Sequence, residues 1–597
     1  MFCVRHDVEA VPILRIMLWQ VSPAKCSVRR LIRGVAPAKY MHRSETHVFA
    51  SDVFEDWARS AIRRDRSDPA PFSRLYTNPT IVGMVEASSR LLGNSAWNAV
   101  AFLIGAVLNL LVLPFVVYRV GVAAFGVAGL VTACIAPAMV FSNALGLSAS
   151  RAFAQRLTED QRDEARQFFG CALLLAIAIG GSIALVLVLA GPPLARLVFN
   201  FTAATAQDLG LSFLLGAGGW FCQCLSAPFI SLFVARQDYA RISTINILST
   251  MVATASILLL VPQRPLASTY LGCQALGFAT TLAAAILLAR RLLAQWLDRP
   301  AHHRVSIQHL VRFGFWQMLA QGGGLVAAQA DRYLLGALLP PHFVGFYVIA
   351  QRLEEAIYIG ILKVGEILFP FFSSLKEESK ERTSDLFFRS SWVLNVLAVS
   401  ALGGVIPVAG PLLTFWTGAE VADAAQHLLV VLSIAGILGC GGNVFAFYLL
   451  AHGRSRSNAL IAGVTAAVTL ATSVLTLPTF GWVAAGWSAC AGMAAQLVII
   501  LALVRRTFAR AGVWSRVAHF VVVPLAAGIA VALLLRQVVN GATVCANPHW
   551  WCVGALYLLV ASIILVAVVA VSQTGPFGAT CRHDLRSIVF RFAPAKA

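Results

Sequence analysis

Ala330-Asp-Arg-Tyr-Leu-Leu-Gly-Ala-Leu-Leu-Pro-Pro-His-Phe-Val-Gly-Phe-Tyr-Val-Ile-Ala-Gln-Arg352 sets charge inside two apolar runs that read as membrane-spanning helices joined by a short turn. Glu354, Glu355, Lys363 and Glu366 continue the pattern along the second run. A charged side chain at the centre of a bilayer costs about 2.5–3.5 kcal/mol even on insertion-based scales, so such groups face a water-filled cavity or one another and mark a transport path.

Outward from this hairpin the chain keeps the same character. Its 597 residues are 58% hydrophobic and only 12% charged, with a mean hydropathy of +0.77, which excludes one ordinary soluble domain. Apolar runs of about 20 residues, each long enough to cross a bilayer, recur from residue 95 to residue 572. The sequence therefore predicts an all-α, polytopic integral membrane protein of about fourteen transmembrane helices, with span seven at 313–338 and span eight at 343–372. The net charge of +19 does not indicate nucleic acid, because the basic residues are spread over short loops instead of forming one patch. Alternate loops carry them: Arg151 to Arg166, Arg236 and Arg241, Arg290 to Arg312, Lys376 to Arg389, Arg454 and Arg456, Arg505 to Arg516, and the tail from Arg582. By the positive-inside rule both termini are cytoplasmic.

The organisation follows from the spans. Residues 1–94 are rich in Arg, Asp, Ser and Pro and lack a spanning run, and read as a disordered cytoplasmic arm; a start at Met84, about eleven residues before the first span, is the alternative. A six-helix half covers 95–290, a cytoplasmic linker 291–312, and a second six-helix half 313–504. Residues 505–597 hold two extra helices and a cytoplasmic tail. The halves read as pseudo-repeats, for Arg119-Val-Gly-Val-Ala-Ala-Phe-Gly126 aligns with Leu338-Leu-Pro-Pro-His-Phe-Val-Gly345, each a short outer turn with a glycine at the start of the next helix.

Two stretches carry a resemblance. Leu113-Pro-Phe-Val-Val-Tyr-Arg-Val-Gly-Val-Ala-Ala-Phe-Gly126 resembles the first hairpin of the polysaccharide-export branch of the multidrug/oligosaccharidyl-lipid/polysaccharide exporter superfamily. Ala330-Asp-Arg-Tyr-Leu-Leu-Gly336 with Val344-Gly-Phe-Tyr-Val-Ile-Ala350 resembles the hairpin that opens its second half. The resemblance covers about residues 85–572 and implies a MATE-like architecture. It also implies a flippase that moves polyprenyl-diphosphate-linked oligosaccharide across a bacterial inner membrane for surface polysaccharide or exopolysaccharide synthesis. The implied partners are that lipid-linked glycan, membrane lipid and a polysaccharide polymerase or export complex. Many relatives stop at twelve spans, so the last pair departs from the pattern.

The candidate site can be laid out from the residues. On a helix Arg352, Glu355, Ile359, Lys363 and Glu366 follow steps of three and four and share a stripe of roughly 80°. Glu354 lies off it and is expected to look toward Arg332. In span seven Gln317, Gln321 and Arg332 share a face, with Gly322, Gly323 and Gly324 inviting a bend or close packing. Lys363, read as the deepest charge, Arg332 and Arg352 are the candidates for a diphosphate, with Gln317 and Gln321 beside them. Asp331, Glu354, Glu355 and Glu366 are the candidates for balancing charge or coupling an ion. A second reading stays open, in which Asp331 with Arg332 and Arg352 with Glu355 are ion pairs locking helices together.

Other classes are weighed against this one. A cation-coupled drug exporter of the same fold is the runner-up, although spans one to six and nine to fourteen carry no Asp or Glu in their interiors. A glycan polymerase or ligase would want a large outer loop with catalytic Arg or His, and the longest, 536–552, offers only His549. No phosphate-cradling Gly-rich loop with Lys-Ser/Thr is present, no cofactor or catalytic residue is expected, and His302, His303 and His309 read as a solvated loop, not a metal site. Cys545 and Cys552 share the last outer loop and are expected to pair if that side is oxidising.

Overall fold

In the computed structural model, residues 79–158, 162–199, 201, 208–297, 329–366, 380–452, 454–508, 512–541 and 550–574 are described, with a few isolated positions besides. The chain divides into two units, Met1–Ala87 and Ser88–Ala597. Of the first, only the opening of a helix from Pro79 is described. That helix, α1 (Pro79–Val120), takes in the last part of the segment read as an arm.

Among the described residues every regular element is helical, as expected. The first half continues with α2 (Val122–Thr158), α3 (Arg162–Leu175), α4 (Gly181–Val198), α5 (Leu209–Ala235), α6 (Tyr239–Leu260) and α7 (Ala267–Leu297); a π-helical turn, Ala176–Gly180, joins α3 to α4. The second half holds a helical segment at 329–338, then α8 (Pro341–Glu366), α9 (Lys380–Thr417), α10 (Ala419–Ala451), α11 (Ser455–Phe480) and α12 (Ala484–Thr507). The terminal pair is α13 (Val513–Val517), a second π-helical turn (Ala518–Val522), α14 (Val523–Gly541) and α15 (Trp550–Thr574).

Twelve helices among the described residues are long and apolar enough to cross a membrane, and they coincide with spans one to six and nine to fourteen of the sequence reading. The fourteen expected are not all met. Span eight is α8, whose 26 residues carry Arg352, Glu354, Glu355, Lys363 and Glu366, and span seven lies mostly outside the described residues.

The repeat shows in the neighbours. In the first half α5 packs on α2 and on α7, and α6 on α7; in the second α10 packs on α8 and on α12, and α11 on α12. Spans two, four, five and six thus find the same partners as spans eight, ten, eleven and twelve. Spans two, nine and ten form the interior, and α10 is the most enclosed of the twelve, with 83% of its apolar window buried. Such a helix needs no amphipathic stripe; what it needs is small residues where neighbours cross, supplied by Gly436, Gly439, Gly441 and Gly442.

The halves meet where α2 and α8 cross. A Cβ on Gly126 would lie 2.9 Å from the backbone N of Gly345 and closer still to the Pro341 carbonyl. One on Gly345 would lie 2.7 Å from Cγ1 of Val122 and closer still to the Val122 carbonyl. In the repeat alignment Gly126 matches Gly345 and Val122 matches Pro341, so the contact is reciprocal. Gly121, at φ +85°, supplies the left-handed turn between α1 and α2 that starts this crossing, and Gly418, at φ +98°, does the same between α9 and α10.

The terminal pair is fastened to α9. Gly404 lets Ala561 and Tyr557 approach to 3.1 Å of its would-be Cβ, and the Tyr557 hydroxyl donates to the Ala401 carbonyl at 3.1 Å. Gly528 of α14 faces Val399, whose Cβ would stand 2.9 Å from an added methyl. Gly528→Val is therefore expected to lower the thermal midpoint of the purified protein, overpacking of this kind costing about 1–3 kcal/mol. An unchanged midpoint would mean that α14 is free to slide on α9.

Candidate functional site

Asp331 and Arg332 lie in the 329–338 helix, eight or nine residues before the turn at Pro340, which is about 13 Å at the helical rise. Arg352 lies eleven residues into α8, about 17 Å from the same turn. With a hydrocarbon core about 30 Å thick, all three sit near its middle. Lys363 is in the last turn of α8, about 33 Å from Pro341. It is therefore not the deepest charge, as the sequence reading had it, but stands at the far mouth of the span.

Adjacent residues on a helix point about 100° apart, and Asp331 and Arg332 separate accordingly. Among the described residues Asp331 accepts two hydroxyl hydrogen bonds, from Ser473 of α11 at 2.7 Å and from Tyr347 of α8 at 3.1 Å. Arg332 donates through Nε and Nη2 to the Gln351 carboxamide oxygen, at 3.2 and 2.8 Å, and through Nη1 to that of Gln329 at 2.9 Å. Both side chains are buried, 6% and 5% exposed. The ion pair that would have locked them together is not formed. Each charge is instead hydrogen-bonded by neutral groups, with the opposite charge close enough to act on it but not in contact.

The rest of the stripe opens outward. Arg352 and Glu355 form an ion pair at 3.6 Å with their side chains 47% and 41% exposed, so here the pairing in the second reading does occur. Lys363 is exposed on the same face, while Leu353 on the opposite side is buried. Both Arg352 and Glu355 act electrostatically on Arg332, and Arg352 also acts on Tyr270 of α7 in the first half. Arg352 and Glu355 therefore stand within electrostatic reach of Arg332, and Arg352 within reach of the first half.

Glu354 does not look toward Arg332. Its carboxylate is packed on Gly436 of α10, within a polar strip that continues one turn on, where the Tyr358 hydroxyl donates to Asn443 at 3.1 Å. The amide nitrogen of that Asn443 is buried without a partner among the described residues. Gln317, Gln321 and the three glycines at 322–324 lie outside the described residues, as do Cys545, the histidines at 302, 303 and 309, His549 and the side chain of Glu366. Cys552 opens α15. No grouping of metal-ligating side chains occurs among the described residues.

Sequence reasoning missed Gln329, Gln351, Tyr347 and Ser473. None is charged, so none interrupts an apolar run. A signal was there in α11, where Thr465, Thr469, Thr472, Ser473 and Thr476 make a hydroxyl-rich band in an otherwise apolar helix. Chemically, the pair of sites offers an anion a buried guanidinium with a planar fork, and offers a proton or small cation a carboxylate ringed by hydroxyl oxygens.

The fold has counterparts among known proteins. The family model for polysaccharide biosynthesis proteins matches residues 120–426, just over half of the chain. The chain is 25% identical over 346 residues to the uncharacterized membrane protein EpsK of Bacillus subtilis, covering 56% of this chain and 67% of EpsK. It is 23% identical over 354 residues to the probable flippase AglR of Haloferax volcanii, covering 58% of this chain and 67% of AglR. Its fold matches that of the lipid II flippase MurJ in an inward closed conformation with a TM-score of 0.61, over 80% of this chain and 98% of MurJ, at 11% identity.

Proposed function

Because the chain belongs to the polysaccharide biosynthesis protein family, we propose that it flips polyprenyl-diphosphate-linked oligosaccharide from the cytoplasmic to the outer leaflet by alternating access. The observation that carries this reading is Arg332, a cation 5% exposed near mid-membrane whose partners among the described residues are two neutral carboxamides. A buried charge with no counter-ion in direct contact is costly, and a ligand that brings one is favoured there. A diphosphate is such a ligand, and the guanidinium fork suits its geometry.

The proposed roles follow depth. Lys363 meets the headgroup at the cytoplasmic mouth of the cleft, Arg352 and Glu355 part to admit it, and Arg332 holds it at the midplane; Gln317 and Gln321 are proposed as further contacts to the headgroup. Asp331 takes up the coupling proton or cation, and Glu354 and Glu366 balance charge. The lipid tail stays in the bilayer and the glycan passes through the water-filled cleft. The alternation of basic loops supports cytoplasmic termini and puts the turns at Gly121, Pro340 and Gly418 on the outer side of a bacterial inner membrane. A polysaccharide polymerase or export complex is the proposed recipient.

The test is the location of the lipid-linked pool in cells depleted of the protein. The expected result is polyprenyl-diphosphate oligosaccharide that accumulates facing the cytoplasm while surface polysaccharide is lost. An unchanged pool together with greater sensitivity to cationic compounds would mean a drug exporter instead.

A further inference from the structure

In an α-helix the carbonyl of residue i−4 receives the N–H of residue i, and a proline at i leaves that carbonyl without its donor. Such prolines lie inside α1, α2, α4 and α5 of the first half, and two of them concern the second half, Pro114 of α1 and Pro137 of α2. The carbonyls they vacate are those of Leu110 and Ala133. The indole N–H of Trp416, at the end of α9, donates to the Leu110 carbonyl at 2.9 Å, and the hydroxyl of Tyr333 donates to the Ala133 carbonyl at 2.6 Å. Both bonds cross from one half to the other, and both run from an aromatic donor in the second half to a proline-vacated carbonyl in the first.

We propose that these two bonds are latches, made when the outer end of the molecule closes and broken when it opens. The vacated carbonyls lie about 17 Å from the Gly121 turn along their own helices, so they are level with each other on α1 and α2. Between them and the outer side stands the Gly126–Gly345 crossing of the two halves. An ordinary helical carbonyl is already paired and gains little from a second donor. A vacated one in hydrocarbon has no partner at all, so it binds the indole or phenol strongly while the cleft is dry and takes water instead once the cleft is wet. The latch thus couples opening to hydration of the path. It uses no charge, and so it leaves the Asp331 and Arg332 sites free for ligand. A related arrangement recurs as a fixed joint between α9 and the terminal pair, where the Asn395 carboxamide donates at 3.3 Å to the carbonyl of Phe520, four residues before Pro524.

The latches depend on the two-half architecture and not on the identity of the substrate, so they are tested without substrate. Val421 is 2% exposed and lines a cavity of about 600 Å³ at the outer end, walled by Val117 to Val127, Asp208 and Leu266 from the first half and by His342 and Glu420 from the second. In protein carrying Val421→Cys, the rate of maleimide labelling, read by mass spectrometry of that residue's own peptide, reports opening of this end. Trp416→Phe and Tyr333→Phe are each expected to raise the rate roughly twofold to tenfold, the range that one net hydrogen bond spans. Pro114→Ala restores the helical N–H and is expected to raise it similarly. Combining Pro114→Ala with Trp416→Phe is expected to do no more than either alone, because both remove the same bond. An unchanged rate in either donor variant overturns the proposal, and so does a double variant whose effects multiply. If Trp416→Phe leaves too little folded protein, Tyr333→Phe with Pro137→Ala carries the same cycle at the other latch.

Discussion

Arg332→Met is expected to abolish glycan export while leaving the protein as abundant and at least as thermally stable as its parent. The two halves of that expectation come from one observation, that the guanidinium is buried against Gln329 and Gln351 and not against a carboxylate. Were Arg332 one arm of a buried ion pair, removing it would strand the other charge and destabilise by about 3–5 kcal/mol. With carboxamide partners no contacting carboxylate is stranded: two carboxamide oxygens lose a donor, Asp331 loses a neighbouring positive charge but keeps its Ser473 and Tyr347 donors, and the desolvation of a buried cation is relieved; replacing buried charge by apolar volume is commonly neutral or stabilising. Transport should move the other way. Each charge-assisted hydrogen bond to a phosphate oxygen contributes about 1.5–3 kcal/mol, so losing a two-point contact lowers export by roughly a hundredfold or more. Arg332→Lys keeps the charge without the fork and is expected to fall between the two. Export measured as surface polysaccharide, with membrane abundance and thermal midpoint alongside, separates the outcomes: a collapse in midpoint would make Arg332 a structural tie, and full export would remove it from the path.

The sequence made the helices legible because apolar length is a direct signal in a bilayer, and the twelve described apolar spans fall where hydropathy put them. It also made the charges in α8 legible, since periodicity alone groups Arg352, Glu355 and Lys363, and the structure exposes these three on one face. Depth was misread at Lys363 because periodicity orders charges around a helix but not along the membrane normal; counted from the start of α8 at Pro341, close to the expected 343, Arg352 lies about 17 Å in and Lys363 about 33 Å. The destinations of Asp331, Arg332 and Glu354 were not legible either. Adjacent positions on a helix face different neighbours, and those neighbours, Ser473, Gln351 and Gly436, come from other helices and carry no charge to advertise themselves. The weak alignment of Gly126 with Gly345 proved more informative than its letters suggested, because a pseudo-two-fold axis forces equivalent residues together where it passes through a contact.

That contact carries the second large effect. Gly345→Val is expected to hold the outer end open, leaving a folded protein that no longer completes the cycle. The added Cβ would press on the Val122 carbonyl and stand 2.7 Å from Val122 Cγ1, while the reciprocal face at Gly126 is already filled by the Pro341 carbonyl and the Gly345 backbone N. A side chain can turn aside at little cost, but a helix backbone on both sides of the contact can only separate. Overpacking of about 1–3 kcal/mol, applied to the closed state alone, shifts the closed-to-open ratio by roughly fivefold to more than a hundredfold. The global fold is spared because each half packs on its own helices and the open state relieves the clash. Val127, which is 1% exposed and lines the outer cavity, serves as the reporter: Val127→Cys should become readily alkylated in the Gly345→Val background and stay protected in the parent. Gly121→Ala is the matched control. Gly121 sits at φ +85° with open space around its would-be Cβ, so substitution there strains the turn by about 1 kcal/mol without wedging the halves, and Val127→Cys should remain protected. If Gly345→Val leaves Val127→Cys unreactive in folded protein, the halves do not part at this crossing and the outer gate must be sought elsewhere between α1 and α9.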